Sequence, residues 1–248
     1  IAAKETLAAA GVPVIPGLRH AASAQQIAEF GAKVGWPIII KAVAGGGGRG
    51  MVRVDAPEQA AKALEQAMSI SGKLFATAGV YAEKYIRGAR HIEFQFMADQ
   101  YGEVIHLGER ECSIQRRHQK LVEEAPSTLL TDALRSEMGA GAVKAMKEIG
   151  YVSGGTLEFL VDSQTRFYAI EVNPRIQVEH TVTEMVSGLD LIRLMIRTAA
   201  GQALTVRQED IVLRNHAIQC RVNAEDPRNH FAPSFGKVTY LRQVSGPF

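Results

Sequence analysis

Glu171-Val172-Asn173-Pro174-Arg175-Ile176-Gln177-Val178-Glu179-His180 sets carboxylates, an amide and a guanidinium at alternate positions, with apolar residues between them. In an extended chain every second side chain shares a face, so Glu171, Asn173, Arg175, Gln177 and Glu179 are expected on one side. Just upstream, Thr156-Leu157-Glu158-Phe159-Leu160-Val161 reads as an apolar strand with one buried-looking carboxylate, and Asp162 to Arg166 as a hairpin turn. With Gln164 and Thr165 as the loop proper, Glu158 falls opposite Glu171. Like charges facing each other across a ladder repel, so either one carboxylate takes up a proton or a cation sits between them. Asn173 adds an oxygen on the same face, and magnesium, hard and oxygen-seeking, suits such a set. The bland alternative is a solvated sheet face. Against it, Leu157, Phe159, Ile170 and Val172 make well-packed strands whose polar face is rich in ligand groups.

The bulk composition is that of a globular protein: 46% apolar and 22% charged over 248 residues, enough for one large domain or two ordinary ones. The formal net charge is only +2 and the basic residues are spread along the chain, which gives a nucleic-acid partner no support. Cys112 and Cys220 are too few and too far apart for a disulfide framework or a zinc site, so a reducing compartment is expected. No apolar run approaches the roughly 20 residues that span a bilayer. The expected location is cytoplasmic, or a mitochondrial or plastid matrix, with no membrane partner.

Residues 1–10 read as the tail of a helix stopped by Gly11 and Pro13, and Gly236 to Leu241 as the start of a strand, which suggests a piece of a longer chain. Between Pro13 and Ile86 the pattern is strand, helix, strand, strand, helix, strand, with capping boxes at Ser23/Gln26 and Asp55/Glu58. From His91, packed Ile92, Phe94 and Phe96 alternate with polar His91, Glu93 and Gln95. Thr131 to Ile149 is a helix, and Thr183 to Ala200 is expected as one helix closed by Gly201. The glycine run from Gly45 to Gly50, interrupted by Arg49, joins two strands, so it is no Walker loop; its N–H groups and φ freedom suit a flap that closes over phosphates. Lys41 ends a buried-looking strand just before that run and needs an anion. The segment Glu109 to Lys120 is so dense in charge that it is expected outside the core, as a loop held against the body where a small anion can bind.

Taken together these segments resemble the ATP-grasp enzymes and, within them, biotin carboxylase. The resemblance runs from Gly11 to Phe248 and is carried by Ile40-Lys41-Ala42 with the glycine flap, Glu83-Lys84-Tyr85-Ile86, Arg90-His91-Ile92-Glu93, Glu109 through Lys120 into Val122 to Pro126, Glu171 through His180, and Cys220 through Pro227. Arg116-Arg117-His118-Gln119-Lys120 and the Arg175 to His180 run are its most specific pieces. Trp36 departs from the usual Phe or Tyr, and Phe235 from a usual Pro.

The resemblance implies an α+β, ATP-grasp fold over residues 1–204 with a lid at about 13–86, and the beginning of a biotin carboxylase C-terminal domain over 205–248, without the family's N-terminal domain. It implies ATP-dependent carboxylation of biotin on a carrier protein with bicarbonate, as the first half-reaction of an acetyl-CoA type carboxylase serving fatty acid biosynthesis. Lys41, Gly46, Gly47, Gly48, Gly50, Met51 and His118 are implied around the nucleotide phosphates and flap. Glu83 and the backbone around Lys84 and Ile86 are implied at adenine, His91 and Gln115 at the ribose, and Leu160 among the cofactor-binding residues. Glu158, Glu171 and Asn173 are implied to hold Mg2+ or Mn2+, and Lys120, Arg175, Gln177 and Val178 to surround bicarbonate. Glu179 is implied as the base, and Arg221 as the group facing biotin. The implied partners are a biotin carboxyl carrier and a carboxyltransferase, with a homodimer at full length. The alternatives are another ATP-grasp ligase, such as a carbamoyl-phosphate synthetase, and a nucleotide-binding module without catalysis.

Overall fold

The computed structural model describes residues 2–21, 23–43, 50–75 and 79–242; Gly46, Gly47 and Gly48 therefore lie outside the described residues. The chain opens with α1 (Ala2–Ala9), followed by β1 (Gly17–Leu18), α2 (Ala24–Val34), β2 (Ile38–Ala42), β3 (Met51–Val54), α3 (Ala60–Phe75) and β4 (Val80–Lys84). The larger part holds β5 (Arg90–Ala98), β6 (Val104–Arg116), β7 (Gln119–Ala125), α4 (Asp132–Glu148), β8 (Ser153–Val161), β9 (Phe167–Asn173), α5 (His180–Ser187), α6 (Leu191–Ala199) and β10 (Ala217–Cys220).

The small sheet, in the order β1-β4-β2-β3, is antiparallel throughout. Helices α2 and α3 cover one face, where Ile27, Phe30, Ile38, Ile40, Val52, Val54 and Ala67 bury together. Period-two alternation then turns Ile39, Lys41, Met51 and Tyr81 to the other face, where they line a cleft. Ser23 caps α2 by accepting from the Gln26 backbone N–H, as the sequence predicts. Asp55 and Glu58 form no cap on α3; the Gln59 side chain reaches back to the Asp55 N–H instead, ahead of a short 3-10 turn opened by Pro57. Trp36 packs its ring over helix α2 at Gly31, where an added Cβ would lie 2.3 Å from Cζ2. A glycine inside a helix is costly, and this contact explains it.

The large sheet runs β10-β7-β6-β5-β8-β9, also antiparallel. Helix α4 packs on one face against Phe94, Phe96, Leu157 and Phe159. The opposite face carries the polar row, and here three expectations need correction. The Glu109 to Lys120 segment is no loop: β6 runs through it, and Glu109, Arg110, Glu111 and Cys112 are buried. The reason is mutual satisfaction, since Arg110 bonds Glu93, and Glu109 takes two bonds from Arg135. The alternating extended row also ends at Asn173, so Arg175, Gln177 and Glu179 belong to a loop before α5 and not to a strand. Finally, the expected helix from Thr183 is two helices. Gly188 at φ 72° closes α5 in a left-handed cap, and Asp190 caps α6 by accepting from Arg193 N–H.

Glu158 does face Glu171, although the hairpin is built differently from the expected one. Val161 pairs with Phe167, leaving a turn one residue longer in which Asp162 and Arg166 close the loop and Thr165 takes φ 61°. A bulge between Glu158 and Phe159 in the pairing restores the register. Two offsets of one residue cancel.

Candidate active site

A cavity of about 790 Å³ opens between the two sheets. The small sheet and the segment after it contribute Lys41, Met51, Tyr81, Lys84 and Ile86; β5 and β8 contribute His91, Glu158 and Leu160. Gln115, His118 and Lys120 come from the β6–β7 hairpin, whose loop residues Arg117 and His118 both have positive φ, the geometry of a tight two-residue turn. Glu171 and Asn173 enter from β9, Arg175, Gln177, Val178 and Glu179 from the loop behind it, and Arg221 from just beyond β10. Of the remaining expected residues, Glu83 lies behind the wall with its carboxylate between Lys41, at 2.6 Å, and Lys4, and Gly50 is buried at φ 74° where the flap meets β3.

At the centre sits the Lys120 ammonium. It donates to Glu158 Oε1 at 2.9 Å and Glu179 Oε1 at 2.8 Å, and also pairs with Glu93. Burial alone favours the neutral amine, yet the carboxylates, Glu93 foremost, hold the lysine charged well above its ordinary range. Arg221 donates to the other oxygen of Glu179 at 2.7 Å and to Glu123 at the same distance. Glu179 is thus buried with each oxygen on a different cation, and Arg175, which alternation put on the same face, is not one of them. Arg175 is exposed and reaches Asn173 Oδ1 at 3.3 Å.

A second chain of contacts leads from Gln115 to the carboxylate pair. The Gln115 amide lies 2.9 Å from His91 Nδ1, and His91 Nε2 lies 3.0 Å from Glu158 Oε2. Burial would raise the Glu158 carboxyl, but the His91 hydrogen bond and the nearby cations bring it down to about 2. Desolvation in the cleft, then the Glu158 charge across the ladder, push Glu171 up. Two opposed carboxylates, one of them raised by its neighbour, together with the Asn173 amide form a hard oxygen set of the kind a magnesium ion takes. Asn173 Nδ2 is turned toward Glu158 at 2.9 Å; half a turn of the amide presents its oxygen instead. Lys41 is lowered to about 8 by burial, against the pull of Glu171, and it shares Glu83 with Lys4, so a polyanion in the cleft would favour its charged form.

Residues 1–207 match the family model of the carbamoyl-phosphate synthase L chain, ATP binding domain. The chain belongs to that family. Its ATP-grasp fold superposes on the biotin carboxylase domain of Hydrogenobacter thermophilus 2-oxoglutarate carboxylase, a structure with MgADP, ADP and bicarbonate, with TM-score 0.94 at 48% identity, covering 99% of this chain and 54% of that one. A biotin carboxylase complex from Campylobacter jejuni is similarly close, with TM-score 0.94 and 49% identity over 99% of this chain and 55% of that one. Among curated relatives, the biotin carboxylase of Nostoc sp. is 52% identical over 99% of this chain and 55% of its own length. A pyruvate carboxylase subunit from Methanothermobacter thermautotrophicus is 51% identical over 99% of this chain and 50% of its own length. This ATP-grasp chain thus spans about half the length of the relatives it matches, and the resemblance to biotin carboxylase is borne out.

Sequence reasoning missed Glu93 and Glu123, which hold Lys120 and Arg221 from behind, and Arg110, which in turn holds Glu93. The available signal was the alternation of Glu93 with packed Ile92 and Phe94, which puts it on the same face as His91. Among the described residues, no helix is long and apolar enough to cross a membrane.

Proposed function

We propose that the polypeptide containing this chain carboxylates biotin, joining bicarbonate to it at the expense of ATP. The observation that carries this reading is Glu179, buried between Lys120 at 2.8 Å and Arg221 at 2.7 Å and beside the Glu158 end of the carboxylate pair. Lys41, with Glu83 as its resting partner, takes the nucleotide phosphates together with His118 and the flap from Gly46 to Met51. Lys84, Ile86 and Leu160 line the adenine end, and His91 and Gln115 meet the ribose. Glu158, Glu171 and Asn173 hold magnesium or manganese, which neutralises the phosphate oxygens when bound.

Bicarbonate lies against Lys120, Arg175, Gln177 and the Val178 backbone, with Glu179 accepting its proton. The resulting dianion attacks the γ-phosphate to give carboxyphosphate and ADP. Carboxyphosphate breaks down to carbon dioxide and phosphate, the phosphate takes the ureido proton, and Arg221 supports the biotin enolate as it captures carbon dioxide. Water must be kept from the intermediate, which would otherwise hydrolyse.

The domain reading goes with this: residues 1–204 as the ATP-grasp domain and 205–248 as the beginning of a C-terminal domain. A biotin carboxyl carrier and a carboxyltransferase are the partners, with a homodimer at full length in the cytoplasm or a plastid or mitochondrial matrix. For the acceptor we keep the acetyl-CoA type; relatives named for pyruvate and 2-oxoglutarate carboxylation are 51% and 50% identical to this chain.

The test is phosphate release from ATP by the full-length enzyme with bicarbonate and free biotin. Release that needs both supports the reading. Release that needs bicarbonate and ammonia but not biotin supports the carbamoyl-phosphate alternative, and nucleotide binding without turnover a non-catalytic module.

A further inference from the structure

We propose that Arg110 is a positioning residue for the anion end of the site, setting Gln177 and Lys120 for bicarbonate; this rests on the carboxylation reading above. Arg110, in the middle of β6, is 0% exposed and is the largest fully buried side chain among the described residues. Its Nε donates to Glu93 Oε1 at 2.6 Å, Nη1 to Gln95 Oε1 and Thr183 Oγ1 at 2.9 Å each, and Nη2 to Thr156 Oγ1 at 3.3 Å and Gln177 Oε1 at 3.2 Å. Every N–H of the guanidinium is used. Burying a charge at this depth adds little stability, since a well-packed apolar cluster does as well or better. The arrangement makes sense through what Arg110 does to its partners.

Gln177 is the first of these. Its oxygen is taken by Arg110, so the amide NH2 is the end left facing Glu158, at 3.2 Å, and the cavity. An anion needs a donor there, and an amide turned the other way would present an oxygen to it. Lys120 is the second. Three carboxylates surround its ammonium, and Arg110 answers the charge of one of them, Glu93. The Lys120 charge is then left for Glu158, Glu179 and an incoming anion. A lysine at position 110 could keep the charge but not the planar fork that reaches both Glu93 and Gln177.

Steady-state kinetics of the full-length enzyme, with bicarbonate and then ATP varied, test this in Arg110→Lys. We expect the KM for bicarbonate to rise about tenfold, the scale of one lost hydrogen bond to an ion, with the KM for ATP changed by less than about twofold. In a Gln177→Leu background the same substitution should add less than in the parent, because one of the two partners it acts through is gone. An unchanged bicarbonate KM, equal rises in both KM values, or full additivity with Gln177→Leu overturns the proposal. Should Arg110→Lys not fold, Thr183→Val keeps both charges, removes one bond holding the guanidinium, and must shift the bicarbonate KM in the same direction for the proposal to stand. Failure of the unmodified enzyme to cleave ATP in a bicarbonate-dependent way sinks the carboxylation reading itself, before any variant is compared.

Discussion

Glu179→Gln keeps the shape of the side chain and removes its charge. Two charge-assisted hydrogen bonds reach the carboxylate, from Lys120 at 2.8 Å and Arg221 at 2.7 Å. The amide oxygen can keep one of them, and the other cation then faces an N–H. Neither cation is stranded, because Lys120 retains Glu93 and Glu158 and Arg221 retains Glu123. The stability cost is therefore that of one ionic hydrogen bond, about 1.5–3 kcal/mol. Loss of a positioned base costs turnover about 10²–10⁴-fold, roughly 3–5 kcal/mol of barrier, so the chemical effect should exceed the folding effect. Bicarbonate- and biotin-dependent phosphate release measures the first, calorimetric titration with MgADP the nucleotide affinity, and thermal unfolding the third. The expected result is turnover lower by two to four orders of magnitude, nucleotide affinity within about threefold and a folded protein. Turnover within about tenfold of the parent, or a nucleotide affinity that falls in step with turnover, refutes Glu179 as the base.

Lys41→Met should raise the KM for ATP by about tenfold or more and leave the protein folded, because Glu83 keeps Lys4 as its partner; an unchanged KM would remove Lys41 from the phosphate site. Glu158 predicts acid sensitivity in metal-free protein. Its folded carboxyl lies at about 2 against an ordinary 4.5, so its contribution is complete above pH 4.5 and is lost as pH falls toward 2, by up to about 3 kcal/mol. Urea unfolding at pH 6 and pH 3 in chelator should show a smaller loss for Glu158→Gln than for the parent, and equal losses would contradict the assignment. Gly31→Ala forces a methyl against the Trp36 ring and should destabilise by about 1–3 kcal/mol, with Trp36→Phe recovering part of it; a melting temperature no lower than the parent's would refute the contact.

The hairpin shows how far local pattern reaches. The facing of Glu158 and Glu171 was legible because side chains alternate with a period of two, and it survives a longer turn because a bulge of one residue compensates it. Pattern misled in the β6 segment, where charge density argued for a loop. A charged residue is excluded from a core only when unpaired, and Glu93, Gln95, Thr156, Thr183 and Gln177, which satisfy Arg110, come from three other elements and a loop. Gly188 and Asp190 divide the α5–α6 stretch with a left-handed cap and an N-cap, inside a run that the sequence reads as one helix.

By itself, then, the order of residues determined most strands and helices, the facing of Glu158 and Glu171 and most groups of the cleft, because these follow from short-range periodicity and from motifs whose members lie close in the chain. Which cations meet Glu179 was decided only by the tertiary structure: Arg221, 42 residues away, reaches it and Arg175, four residues away, does not. A charge pairs with whatever the packed elements bring within about 3 Å, and separation along the chain has no bearing on that distance.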